Sequence, residues 1–276
     1  LTATAPPAPT TELPADVRPR KAGVVADILS VAGRAVRSIP REPESVIPAL
    51  IVPIFFFVVN TGSLTDITSQ VQDPGFSFKA FQLPVAIIFA VTGISRASTL
   101  VTDIQDGYFD RLTLTPIRRP ALLLGLMVAD FVLVVALAIP VLALGFAVGV
   151  RFETGLLGVV AFILLSAAWG IVFTGFPYAI ALKTGNPAAV NSSFILFFPF
   201  AFLTTAFVPE EFLSGWLATV AVYNPVTYVL DALRSLTMEG WEADTLGKGL
   251  LAIGAVGLVS FSLCLAAFRG RIRAGA

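Results

Sequence analysis

Six stretches of this chain are too long and too apolar to sit one after another in a water-soluble fold: residues 45–63, 81–102, 120–149, 155–182, 190–208 and 248–268. A helix needs about 20 apolar residues to cross a hydrocarbon core of roughly 30 Å, and each stretch comes near that length or exceeds it. Charged residues make up 13% of the chain and hydrophobic ones 56%, with a mean hydropathy of +0.87. A soluble domain carries about 25% charged residues. The expected fold is therefore an all-α integral membrane protein with six transmembrane helices. The third and fourth stretches exceed the bilayer, which implies tilt. Pro48, Pro53, Pro84, Pro140, Pro177 and Pro199 fall within the stretches, a placement that membrane bundles accommodate because neighbouring helices satisfy the freed backbone groups.

Six crossings put both termini on one side. Thirteen basic residues then share that side: Arg18, Arg20, Lys21, Arg34, Arg37, Arg41, Arg111, Arg118, Arg119, Lys183, Arg269, Arg271 and Arg273. Four lie opposite, Lys79, Arg151, Arg234 and Lys248. The excess of Lys and Arg on cytoplasmic loops places both termini in the cytoplasm. The formal net charge of zero gives no reason to expect a nucleic-acid partner. The chain has no histidine and one cysteine, Cys264. Histidine triads, Cys/His zinc sites and internal disulfides are thereby excluded, and Cys264 reads as a small buried apolar residue.

Residues 1–20, with five prolines among small polar residues, read as a disordered cytosolic tail. Residues 21–40 form a second unit. There Asp27, Ser30, Arg34 and Arg37 share one helical face while Val24, Val25, Ile28, Leu29, Val31, Ala35 and Val36 occupy most of the rest, the pattern of an amphipathic helix lying on the inner membrane surface, against the plainer reading of a solvated linker helix. Residues 41–276 form the six-span domain. Its longest outer loop, 209–246, carries two apolar helical segments divided by Asn224-Pro225, where Asn caps and Pro starts the second helix. Trp216, Tyr223, Tyr228 and Trp241 suit the headgroup level. The expectation is two short re-entrant helices between spans five and six.

The segment Asp103–Pro120, DIQDGYFDRLTLTPIRRP, is richer than a plain turn requires. Asp103, Asp106 and Asp110 lie at helical spacing as an acidic stripe, and Tyr108, Phe109 and Leu112 form an adjacent apolar ridge. The segment reads as a docking surface, against the plainer reading of a solvated loop. Three strings then carry a family resemblance: Gly107 with Leu112 and Thr115-Pro116 after the second span; Phe207-Val208-Pro209 after the fifth; and Asn224-Pro225-Val226-Thr227-Tyr228 followed by Asp231-Ala232-Leu233-Arg234. In order and spacing they resemble the permease subunits of type-2 ABC exporters, in the daunorubicin-resistance-like drug and lipid branch. One departure is that Asp103 and Asp106, rather than basic or Glu residues, precede the glycine.

The chain has no GxxxxGK[ST] string, since Glu242 stands where the first glycine before Gly247-Lys248 would be. It is expected to be a non-catalytic subunit with no cofactor of its own. The resemblance implies two copies of a separate P-loop ATPase carrying ATP and Mg, and a second permease copy or paralogue, in contact with membrane lipids. ATPase docking falls to Asp103, Asp106, Gly107, Tyr108, Phe109, Asp110, Leu112, Thr115 and Pro116.

Arg96 in the second span and Asp130 in the third are costly inside a membrane and call for partners. Helix rise puts them roughly 10 and 16 Å from their loop ends, a difference a long Arg side chain bridges, so they are expected to pair. Phe194, Phe197, Phe198 and Phe202 are candidates for a substrate path, or for packing alone. Asn224, Pro225, Tyr228, Asp231 and Arg234 are candidates for an outer gate; Asp231 and Arg234 can alternatively pair within their own helix.

The expected function is ATP-driven export of a hydrophobic or amphipathic drug or lipid. The alternatives are export of a lipid-linked polysaccharide or glycolipid by similar machinery, an ion-coupled secondary carrier, which normally shows several buried carboxylates, and a membrane-embedded transferase. Arginine outnumbers lysine fourteen to four, as in a GC-rich bacterium, so the expected location is the bacterial plasma membrane.

Overall fold

The computed structural model describes residues 23–63, 76–92, 94–107 and 119–274, and every regular element among these residues is helical. Helix α1 covers Val24–Ser38 and a 3-10 turn, Ile39–Arg41, leads into α2, Pro43–Ser63. The second apolar stretch is two helices, α3 over Phe78–Thr92 and α4 over Ala97–Gln105. Three long or broken segments follow: α5, Arg119–Ala147; α6, Gly155–Thr184; and the pair α7, Pro187–Ser192, and α8, Phe197–Phe202, joined by a 3-10 turn. Helices α9, Gly215–Tyr223, and α10, Pro225–Arg234, precede α11, Ala243–Ala274.

Among the described residues, five helical segments are long and apolar enough to cross a membrane, the second of them α3 and α4 taken together: Val46–Ser63, Phe78–Gln105, Pro120–Ala147, Gly155–Thr184 and Ala243–Arg271. The expected fifth span falls short of this. Its helical part, Pro187–Phe202, reaches on the order of 24 Å at about 1.5 Å per residue, less than the ~30 Å hydrocarbon core. The apolar run continues through Leu203–Val208, but there the backbone leaves the helix in a series of bends.

The core lies where α3 is enclosed. Leu83, Ile87, Ile88, Ala90 and Val91 on α3 are buried with Val134 and Val141 of α5, Phe162 and Trp169 of α6, and Val229 and Leu233 of α10. Trp169 also donates its indole N–H to the Thr92 hydroxyl at 2.9 Å, so its one polar atom is satisfied. A second cluster, at the end of the bundle holding α1 and α4, gathers Val31, Leu100, Leu126, Tyr178 and Phe268.

Close helix contacts rest on glycine. A Cβ on Gly125 of α5 would sit 2.6 Å from Val31 Cβ on α1. One on Gly175 of α6 would sit 2.8 Å from the Ser260 backbone carbon on α11. Because backbone cannot swing aside, Gly175→Ala is expected to force α6 and α11 apart and lower stability by about 1–3 kcal/mol. At Gly254, also on α11, a Cβ meets nothing within 4 Å. There Gly→Ala gains about 0.5–1 kcal/mol of helix propensity. Thermal unfolding of the two variants in detergent checks the opposite signs.

Candidate functional site

Helix α4 is the stub of the expected docking segment. It ends at Asp106 and Gly107, where the Asp106 N–H reaches Thr102 O at 2.9 Å and the Gly107 N–H reaches Ile104 O at 3.2 Å. Gly107 has φ +66°, a left-handed value that suits glycine and stops the helix. Tyr108, Phe109, Asp110, Leu112, Thr115 and Pro116 lie outside the described residues. The stub is tied to α1, since Arg34 donates to both Asp103 oxygens, at 3.2 and 2.7 Å. This forked geometry is the stronger form of an ion pair. Asp103, expected to face a partner, therefore has its charge engaged within the chain.

The start of α4 is anchored as well. Arg96, 3% exposed, stands just before it. Its guanidinium donates to the two Glu42 oxygens at 2.8 and 3.0 Å and also to the Ser38 hydroxyl. The ion pair expected between Arg96 and Asp130 is thus replaced. Asp130 instead accepts the Arg96 backbone N–H at 2.7 Å, and its other oxygen accepts the Tyr178 hydroxyl at 2.6 Å. The physical reason is the break between α3 and α4. A helix start leaves backbone N–H groups without partners, and a buried carboxylate beside one satisfies it, leaving the guanidinium to reach the α1–α2 connection. Nothing in local spacing marks Glu42, 54 residues away, as the Arg96 partner.

Asp130→Ala is expected to leave the Tyr178 hydroxyl and the Arg96 N–H buried without an acceptor, at about 1–3 kcal/mol each. Asp130→Asn keeps a carbonyl oxygen and should be milder. Thermostability by size-exclusion chromatography of heated samples reads the difference.

A cavity of about 330 Å³ adjoins this anchor, lined in part by Arg96, Ser98, Phe173, Asn191, Ser193 and Phe194. Of the aromatic path candidates, Phe194 reaches this cavity. Phe197 is fully buried, edge-on to Phe89 and Phe173 at 5.3 and 5.5 Å, and serves packing. Phe198 and Phe202 stack on each other at 5.8 Å, with Phe202 43% exposed.

At the opposite end, the outer-gate candidates turn inward onto their own chain. Asn224 caps α10 by accepting the Val226 N–H at 3.0 Å, with Pro225 in the first helical position, as the sequence implied. Its amide NH2 meanwhile donates to Phe200 O and Leu203 O at 2.6 and 2.8 Å, closing the end of α8. Arg234 donates to Thr205 O and Thr205 Oγ1, both at 2.8 Å, and to Phe81 O at 3.3 Å, with its guanidinium 3.6 Å from the Phe81 ring centre. In the bends after α8 the carbonyls of Leu203, Thr205 and Ala206 are thus met by the side chains of Asn224 and Arg234, and that of Phe207 by the Gln82 amide at 3.4 Å. The Tyr228 hydroxyl donates to Val222 O at 2.7 Å. Asp231 reaches Arg234 at only 3.4 Å and lines an open vestibule of about 790 Å³ with Glu210, Glu211 and Glu239. Burial pushes the Arg234 guanidinium down to about 10 while Asp231 pulls it back up, so it remains a cation at neutral pH.

The family model for the ABC-2 type transporter matches residues 27–238, from α1 through α10. The chain belongs to the ABC-2 type transporter family. This ABC-2 chain is a multi-pass membrane protein similar to permease subunits. It is 31% identical over 258 residues to the daunorubicin resistance ABC transporter permease protein DrrB1 of Streptomyces coeruleorubidus, covering 91% of this chain and 88% of the relative. It is 26% identical to a probable doxorubicin resistance ABC transporter permease protein DrrC of Mycobacterium tuberculosis, covering 78% of each. At 21% it resembles a putative transport permease, ycf38, of Cyanophora paradoxa, over 77% of this chain and 74% of that one. The resemblance to drug-resistance permeases read from the three strings holds across the chain.

Proposed function

We propose that this ABC-2 permease is the transmembrane subunit of an ATP-driven exporter that moves a hydrophobic or amphipathic molecule, a drug or a lipid, out of the cytoplasm or inner leaflet. The likeness over 91% of its length to a permease named for daunorubicin resistance carries the reading. In this account the Asp103–Pro120 segment docks a separate P-loop ATPase that carries ATP and Mg, in two copies, with two permeases per transporter. The chain itself has no cofactor and sits in the bacterial plasma membrane with both termini cytoplasmic.

Helix α1 lies along the inner surface. Support comes from its three faces: Val31, Ala32 and Ala35 are buried against α5, Val25 and Leu29 are exposed and apolar, and Arg34 and Arg37 are exposed and basic. A helix with its apolar side in lipid and its arginines at the headgroups satisfies all three. Asp27, grouped with those arginines in sequence, is buried. Helices α9 and α10 dip into the outer leaflet, with Trp216 and Tyr223 exposed for the headgroup level.

Force from the ATPase enters through α4. Both of its ends are fixed to the α1–α2 region, by Arg34–Asp103 and by Arg96 with Glu42. A tilt of the docking loop then moves α1 and the break beside the Arg96 cavity together, and that cavity with Phe194 admits cargo. Inverted vesicles carrying the permease and its ATPase test the energy source. Uptake of a fluorescent amphipath should require ATP and survive an ionophore. Uptake that persists without ATP and vanishes with the ionophore would make the chain a secondary carrier.

A further inference from the structure

Between the C-terminal parts of α6 and α11 lies an open groove of about 750 Å³. Its walls are apolar: Phe176 and Ile180 from α6, Leu196 from the turn before α8, and Leu263 and Ala267 from α11. Two cations stand at one end, Lys183 in the last turn of α6 and Arg271 in the last turns of α11. No acidic side chain lines the groove among the described residues.

The groove exists because α11 narrows on this face. Leu263, Ala266, Ala267, Gly270 and Arg271 follow 3- and 4-residue steps and so share one side of the helix. Three of the five are Ala or Gly, and at Gly270 an added Cβ would meet nothing within 4 Å. Arg271 is held at the rim by a bond from its guanidinium to Leu182 O at 3.3 Å. The neighbouring free carbonyl of Gly185 is taken by the Gln105 side-chain amide at 2.9 Å. The carbonyls at the end of α6 are thus met in part by Arg271 and Gln105, and Lys183, exposed, lines the same groove as Arg271. From Leu263 to Arg271 the groove runs about 12 Å along the helix, close to the roughly 15 Å depth of one leaflet.

We propose that this groove is a binding site for an anionic glycerophospholipid, with an acyl chain along Leu263, Ala267 and Gly270 and the phosphate between Lys183 and Arg271. The occupant follows from charge complementarity. An apolar trough in two membrane-spanning helices, with two cations at its headgroup end, selects a chain that is greasy along its length and negative at its top. A neutral or zwitterionic lipid fills the trough but leaves the cations without a net counter-charge.

The test uses the purified permease–ATPase complex, delipidated in mild detergent and titrated with phosphatidylglycerol or phosphatidylcholine of identical acyl chains under native mass spectrometry. Wild type is expected to retain phosphatidylglycerol about tenfold better, in line with two basic contacts near a headgroup. Lys183→Gln with Arg271→Gln should abolish that preference. Gly270→Trp, which enters open space and leaves the fold intact, should lower retention of both lipids. Equal retention by wild type, or a preference that survives the double substitution, overturns the site. So does efficient disulfide formation between two chains carrying Gly270→Cys, which would make the occupant a second copy of this chain.

Discussion

Arg234→Leu is expected to lower the stability of the permease by several kcal/mol, the largest effect of any single substitution at the α10 end of the bundle. The guanidinium serves the carbonyls of Thr205, Ala206 and Phe81 and the Thr205 hydroxyl. The Thr205 and Ala206 acceptors lie where the chain has left the helix and cannot recover intrahelical bonds. Each buried acceptor left without a donor costs about 1–3 kcal/mol. A total near 4 kcal/mol corresponds to a fall of about 10 °C in unfolding midpoint for a chain of this size. Arg234→Lys should recover little, because an ammonium is a compact charge without the flat fork that spans these four acceptors. Asp231→Asn is the contrasting case. Its side chain is 38% exposed and reaches Arg234 at 3.4 Å, so the change should cost well under 1 kcal/mol. Unfolding followed by tryptophan fluorescence separates the three variants, and equal effects at Arg234 and Asp231 would contradict this account of the α10 end.

Phe109→Ala combined with Leu112→Ala is expected to abolish export while leaving the permease folded. If the apolar ridge of Tyr108, Phe109 and Leu112 seats in a groove on the ATPase, removing two of its members takes away most of the buried contact. Hydrolysis by the partner should then continue at its uncoupled rate with no stimulation by cargo. The readout is twofold, transport in reconstituted vesicles and cargo-stimulated ATPase activity, with the unfolding midpoint as control. Retention of both activities removes the docking role from this ridge.

How much of this was legible beforehand depended on the kind of signal. Hydropathy marked the five segments that are long and apolar enough to cross a membrane among the described residues, because composition over some twenty residues is enough for lipid. At residues 190–208 it marked a stretch whose helical part is shorter, Pro187–Phe202, because at Leu203, Ala206, Phe207 and Val208 the residues stay apolar but the backbone bends away from helix. Hydropathy registers side chains and is blind to which carbonyls lose their partners. The clue lay elsewhere, in Asn224 and Arg234, whose donors exceed what one cap and one ion pair need. The second stretch also hid a break. Ser95 and Arg96 in its middle pointed to one, yet an intact helix with an Arg–Asp tie explained the same residues. Pairings such as Arg34–Asp103 and Arg96–Glu42 join positions more than 50 residues apart and leave no periodic trace. Capping at Asn224-Pro225 was readable because it is local.

The central claim is that residues 103–120 dock an ATPase this chain lacks. Its most direct test places a photo-crosslinking amino acid at Tyr108, purifies the permease from native membranes in mild detergent, and identifies by mass spectrometry what co-purifies and what is crosslinked. The account predicts a P-loop ATPase near 1:1 with the permease, joined covalently at Tyr108. If no ATPase is recovered even after crosslinking, or if it is joined only at other surfaces, residues 103–120 are not the docking site.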